Sequence, residues 1–311
     1  MANSTMVTEF LLMDFSDVLE LRILLAFCFL LTYLATLLGN LLIVTTTTLD
    51  QKLYTPMYFF LRNLSILDMC YVSVTVPNAC VNCITENRAI SVTGCATQVF
   101  LVFWFASTEL LFLTIMAHDR YVAICQPLHY SVVINSLFCV RMTLISTLCG
   151  LIYASVHTGN TFRLSFCQSN VIHQFFCDIP SLLRLSCSDT FNNEILILIS
   201  AIGMGGCCFI FIAVSYVRIF STVLKFPARE QGKAFSTCVP HILVVSIFLS
   251  SGAYVYMKRS VTSDTILDTI LSIFYTVVPP FLNPIIYSLR NKQVKEAVSK
   301  VILRNFCLGK L

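Results

Sequence analysis

The sequence predicts an all-α membrane protein: a seven-transmembrane helix bundle followed by a short amphipathic eighth helix. Three observations predict it: seven long apolar runs, a composition of 57% hydrophobic against 12% charged residues, and a basic tail after the last run. A soluble domain carries about twice that charged fraction, which argues against a soluble enzyme. One bundle occupies almost all of the 311 residues, so the chain divides into an outer tail (1–22), the bundle (23–289) and a cytoplasmic amphipathic helix and tail (290–311).

A hydrocarbon core of roughly 30 Å takes about 20 residues of helix rising ~1.5 Å each. Runs near 23–49, 58–84, 96–118, 141–162, 194–220, 238–258 and 269–289 meet that length. Stretches such as Leu37-Leu38-Gly39-Asn40-Leu41-Leu42 are apolar all round, whereas helices in water are usually amphipathic. No basic segment with a small-residue cleavage site precedes the first run, so that run is expected to double as the targeting signal. Asn3-Ser4-Thr5 is a glycosylation sequon on the expected outer tail. Asn63-Leu64-Ser65 also fits but falls within the second run, where it is expected to be silent.

Charge orients the spans. With the amino terminus outside, the cytoplasmic segments hold fourteen Lys and Arg residues, including Arg62, Arg120 and Lys225, against six outside. The positive-inside rule favours that topology and a cytoplasmic carboxyl terminus. The net charge of +4 follows from this asymmetry and needs no nucleic acid to explain it.

Most of the fifteen cysteines sit singly in apolar runs, where Cys packs as a small hydrophobe. Cys95, Cys167, Cys177 and Cys187 fall on the oxidising outer side, where disulfides persist. Four cysteines allow three pairings, and spacing does not choose among them. Cys80-Val-Asn-Cys83 lacks the second ligand pair that a zinc site needs, so no metal role is assigned to it.

Asp68 and Glu109 are the acidic residues deep within spans. A carboxylate at mid-membrane costs about 2.5–3.5 kcal/mol on the insertion scale. Asp68 stands ~15 Å from the inner start of the second helix, and Glu109 ~15 Å above Asp119 in the third. The two are therefore expected at one level, with Asn40 at comparable depth. Neighbouring carboxylates do not both ionise cheaply. A bound cation or one protonated partner would relieve them, and a hydrogen-bonded network that fixes helix packing is the plain alternative.

The third run ends Met116-Ala117-His118-Asp119-Arg120-Tyr121-Val122-Ala123-Ile124-Cys125, and the last ends Asn283-Pro284-Ile285-Ile286-Tyr287. Pro56-Met57-Tyr58-Phe59-Phe60-Leu61 precedes both, and Lys233-Ala234-Phe235-Ser236-Thr237-Cys238 lies between them. Taken together, these stretches resemble the odorant receptor family of rhodopsin-like G-protein-coupled receptors, over about residues 9–300. The resemblance implies disulfides Cys95–Cys177 and Cys167–Cys187. It implies that Asp119 holds Arg120 at rest, and that Tyr216 and Tyr287 swing inward on activation. It also implies a central layer of Asp68, Glu109 and Asn283 around sodium, with no other cofactor. The partners implied are a small odorant and a heterotrimeric stimulatory G protein that raises cyclic AMP. Departures are His118 for a usual Tyr, Pro240 for a usual Ser and Leu249 for a common Tyr. Leu249 puts the details of the sixth-helix trigger in doubt.

Val99, Val102, Phe103 and Ala106 share a face of the third helix, and Gly252 and Tyr256 share one of the sixth. By resemblance this region, with Ser107, Ser200, Met204 and Thr276, lines the ligand pocket. Its apolar lining with a few hydroxyls suits a small neutral molecule. Aminergic receptors of similar fold carry Asp where this chain has Val102, which argues against a cationic amine. After the last span, Val294, Val298 and Val301 align on one helical face opposite Lys292, Lys295 and Lys300, as in a helix lying on the inner leaflet. Cys307 beyond it is a candidate for palmitoylation. A transporter using the two carboxylates would be expected to show inverted halves, which are absent. For a membrane enzyme no nucleophile elbow, His cluster or phosphate loop is present.

Overall fold

A computed structural model describes residues 7–13, 18–85, 88–167, 170–257 and 266–290, together with 294, 296 and 299. Seven long helices form the bundle: α1 (Leu19–Leu49), α2 (Pro56–Thr85), α3 (Val92–Cys125), α4 (Ser136–Thr161), α5 (Phe191–Val223), α6 (Ala228–Met257) and α7 (Ile266–Arg290). Among the described residues, α1 to α6 are long and apolar enough to cross a membrane, and α7 carries an apolar segment over Thr276–Ile286. This is a multi-pass membrane protein.

Local chemistry sets the helix limits. Ser91 caps α3 by accepting from the Gly94 N–H, and Asn135 caps α4 by accepting from Phe138 N–H, at 3.0 and 2.9 Å. Pro56 opens α2 at the first helical position, where its missing N–H goes unused anyway. Pro127 disfavours helical backbone at Gln126, which ends α3 at φ −135°.

The third helix is the central one. It packs on α2, α4, α5 and α6, and 56% of its apolar window is buried against 11% for α5. The outward faces are apolar, as at Leu24, Phe27, Leu31 and Leu38 of α1, because hydrocarbon surrounds them. Backbone carbonyls satisfy hydroxyls buried inside the bundle. Thr46 donates to Leu42 O and Thr47 to Ile43 O, both at 2.7 Å, the pairing open to Ser and Thr inside a helix.

Lipid tails supply no hydrophobic push between helices, so close approach at small residues carries the packing. At Gly39 a Cβ would stand 3.1 Å from the Pro284 ring. Pro284 has no N–H, which leaves the Pro280 carbonyl without its usual intrahelical donor. The Asn40 side-chain amide supplies that donor at 3.1 Å. Gly39 and Asn40 thus seat α1 against the proline turn of α7. At Gly150 of α4 a Cβ would meet the Ser107 hydroxyl at 3.0 Å and the Trp104 carbonyl at 3.1 Å. Gly150→Val is therefore expected to cost about 1–3 kcal/mol through overpacking, measured as denaturant unfolding of the purified protein in micelles.

One end of the bundle carries a small sheet, with one strand from within the expected outer tail. There Glu9–Leu12 forms strand β1, which pairs antiparallel with β2 (Ala89–Ser91) and parallel with β3 (Val171–Ile172). Phe10 and Leu12 are buried there against Cys95, Ile172 and Cys177. Among the described residues this small sheet and an isolated bridge between Phe166 and Ser186 depart from an all-α chain. The sequon at Asn3 lies outside the described residues, as does most of the expected eighth helix. Val294 is helical and buried with the core.

Candidate ligand cavity and signalling core

A cavity of about 170 Å³ opens between α3, α5 and α6 toward the strand-bearing end. Val102, Phe103, Ala106 and Ser107 line it from α3, Met204 from α5 and Gly252 from α6. Periodicity places the α3 group, since positions three and four apart share a helix face. Ser200 and Thr276 point elsewhere. Ser200 hydrogen-bonds Tyr153 Oη at 3.2 Å, and Thr276 is buried against the Tyr71 hydroxyl. In an apolar interior a hydroxyl takes the nearest polar partner, and here that partner is a tyrosine. The backbone at Tyr256 is helical, and its side chain lies outside those described.

The cavity also has walls that periodicity did not indicate: Tyr71, Tyr153, Phe176, Asp178 and Phe248. Tyr71 and Tyr153 come from α2 and α4, whose inward faces have no polar–apolar contrast to mark them. Phe176 and Asp178 come from the loop before α5, and their position follows from the disulfides. Cys95–Cys177 ties that loop to the top of α3, and Cys167–Cys187 closes it on itself, with Cα separations of 5.5 and 5.9 Å. Gln98 adds a second tie. Its carbonyl oxygen accepts from Cys177 N–H at 2.8 Å, and its amide donates to Val74 O at 2.9 Å. Asp178 accepts from Ser181 N–H at 3.2 Å. Burial pushes the Asp178 carboxyl up to about 6, against the opposing pull of the Ser181 hydrogen bonds and the Arg184 charge.

Below the cavity, the two carboxylates stand at one level and share one donor. The Asn283 amide donates to both Asp68 oxygens at 3.1 and 3.0 Å and to Glu109 Oε1 at 3.3 Å. All three residues are at most 2% exposed. The Asn283 carbonyl oxygen is buried without a hydrogen-bond partner. Asn40 takes no part in this cluster. Its amide is spent on Thr36 O and Pro280 O.

At the opposite end, Arg120 takes its hydrogen bond elsewhere than Asp119, although its charge still acts on that carboxylate. It crosses to α6 and donates to the Thr237 carbonyl, while Asp119 accepts from Tyr130 Oη at 2.8 Å. Adjacent residues on a helix diverge by about 100°, so each finds its own partner: α6 for one, the following loop for the other. Tyr216 is already inside, bonded through its hydroxyl to His241 Nδ1 at 2.7 Å. Tyr121 lies outward under the Arg218 guanidinium, 5.9 Å from its ring centre. Pro284 and Tyr287 stand within α7, and the Tyr287 side chain lies outside those described. His118 packs among the rings of Tyr121, Phe138 and Phe211, a place that an aromatic residue fills.

A family model described as olfactory receptor matches residues 27–305. The chain belongs to the olfactory receptor family. It is 64% identical to human olfactory receptor 14C36 over 98% of both chains. Its identity to human olfactory receptor 14A16 is 52%, over 97% of this chain and 98% of the relative. To human olfactory receptor 14I1 it is 50% identical over the full length of both. Membership makes this receptor a sensor of odorants, in a family not known for enzymes. The cavity and the Arg120 cluster lie at opposite ends of one olfactory receptor bundle, joined through α3.

Proposed function

We propose that a small, mostly apolar odorant in the cavity activates an olfactory-type stimulatory G protein and so raises cyclic AMP. The observation that carries this reading is α3 itself, one rigid helix with cavity walls at Val102 to Leu110 and the Arg120 contact to α6 at its far end. A ligand shifts the resting and active shapes only by its preference between them. Met204 and Gly252 line the same cavity from α5 and α6, so a ligand's preference for displaced positions of these helices reaches the Arg120–Thr237 contact. Breaking that contact frees the guanidinium for the G protein. Tyr121, Tyr216 and Tyr287 belong to the same switch. The reading places the protein in the plasma membrane, with tail 1–22 outside, Asn3 glycosylated, and segment 290–311 on the inner leaflet.

The central layer fits a sodium ion, since Asp68, Glu109 and the unpartnered Asn283 carbonyl offer the hard oxygens that such cations take. The ion would balance the two carboxylates, with Asn40 holding α1 beside them. The test of the signalling reading is Arg120→Ala in a cyclic AMP reporter cell, with an odorant panel and surface labelling in parallel. Odorant-evoked cyclic AMP should vanish while surface receptor persists. Full signalling by the variant would remove Arg120 from the switch.

A further inference from the structure

A second cavity, about 330 Å³, lies at the opposite end of the bundle from the odorant cavity, between the α1–α2 turn, the start of α2 and the start of α4. Its charged wall is Arg62, whose guanidinium sits over the Phe59 ring at 5.5 Å. Among the described residues no carboxylate forms an ion pair with it. Two further cations adjoin lining residues in the sequence, Lys52 next to Leu53 on the α1–α2 turn and Arg141 next to Val140 in α4, both exposed. Asp50 is the one acidic residue on that turn, and its side chain is engaged in capping the Lys52 N–H at 3.0 Å.

The backbone adds to this charge. Pro56 and Ser136 both line the cavity, and they begin helices of 30 and 26 residues. The positive ends of two long helix dipoles thus converge on one space. Thr55 and Ser136 contribute exposed hydroxyls. The far wall is apolar, and it continues along α4 as the exposed residues Val140, Leu144 and Leu148. A polar, cationic chamber at a helix-end level, opening onto a hydrocarbon-facing stripe, matches the two halves of a lipid.

We propose that this groove binds one anionic phospholipid, its headgroup phosphate on Arg62 and the two helix starts, its acyl chain along Val140 and Leu144. The inference rests on the membrane-spanning fold alone and does not depend on which G protein the receptor engages. An isolated phosphate would find the same cation, so the experiment separates the two sources.

The purified receptor is exchanged into mixed phosphatidylcholine and phosphatidylserine, and lipids retained on the intact protein are counted by native mass spectrometry. One phosphatidylserine should be held in preference to phosphatidylcholine. Arg62→Gln should lose that preference about fivefold, the weight of one basic residue near an anionic surface. Val140→Glu, at a position 47% exposed, places a carboxylate on the rim and should do the same. It carries the test if the Arg62 variant fails to fold. Arg229→Gln, in the first turn of α6 and outside the lining of this cavity, should leave retention unchanged. Equal retention by wild type, Arg62→Gln and Val140→Glu overturns the site. Displacement of the lipid by millimolar inorganic phosphate overturns the lipid as its occupant. Since the readout is lipid mass, loss of odorant response with retention intact counts against the signalling reading only.

Discussion

Cys177→Ser is expected to cost about 4.5 kcal/mol on the loop-entropy model, because the Cys95–Cys177 bond spans 82 residues of sequence. The same model gives about 3.3 kcal/mol for Cys167–Cys187, with a separation of 20. The larger loss also has a local consequence. Phe176 and Asp178, which flank Cys177, line the cavity between α3, α5 and α6, and a remaining tie at that point is the hydrogen bond from Cys177 N–H to the Gln98 side chain. The variant should therefore lose odorant response beyond its loss of surface receptor, whereas Cys167→Ser should lose mainly surface receptor. Surface labelling with dose–response curves, normalised to receptor number, separates the two. Equal normalised responses would mean that the loop does not need its anchor on α3 to form the cavity.

Asn283→Leu should be comparably severe. The amide is the donor shared by two buried carboxylates on α2 and α3, and leucine offers none. Removing one partner of a buried charged cluster costs about 3–5 kcal/mol, so unfolding in micelles should shift accordingly. Asn283→Asp keeps the shape but adds a third acid beside Asp68 and Glu109, and it should be no better. Adding Asp68→Asn to Asn283→Leu removes one carboxylate from the pair that leucine strands and should recover part of the loss. A leucine variant as stable as wild type would show that the carboxylates are satisfied without Asn283.

Much of the bundle could be read in the residues. Apolar length located the helices, since a membrane segment has to be apolar over its whole girth, and counting residues put Asp68 and Glu109 at one level. The three-residue spacing on α3 located Val102, Phe103 and Ala106. The missed features depend on partners far along the chain. Strand β1 is four residues long and gains its order from β2 and β3, neither of which is longer. Tyr71, Tyr153 and Asp178 reach the cavity through tertiary placement, and nothing within their own segments marks them. Ser200 and Thr276 are candidates by resemblance to the family, and tyrosines from other helices take their hydroxyls. Arg120 was expected beside Asp119, but neighbouring side chains on a helix leave it in different directions.

Between Ala201 and Gly206 the chain of α5 winds as a π-helix, a wider turn that absorbs about one additional residue. Ile197 borders the cavity, and Tyr216 meets His241. They are nineteen residues apart in the sequence, and uniform winding at about 100° per residue would leave them a quarter-turn out of phase. With one residue absorbed, the offset falls to roughly zero. That segment, with Ala201, Met204 and three glycines among its six residues, thus acts as a phase shim, bringing a cavity-lining side chain and one bonded to α6 onto a common meridian.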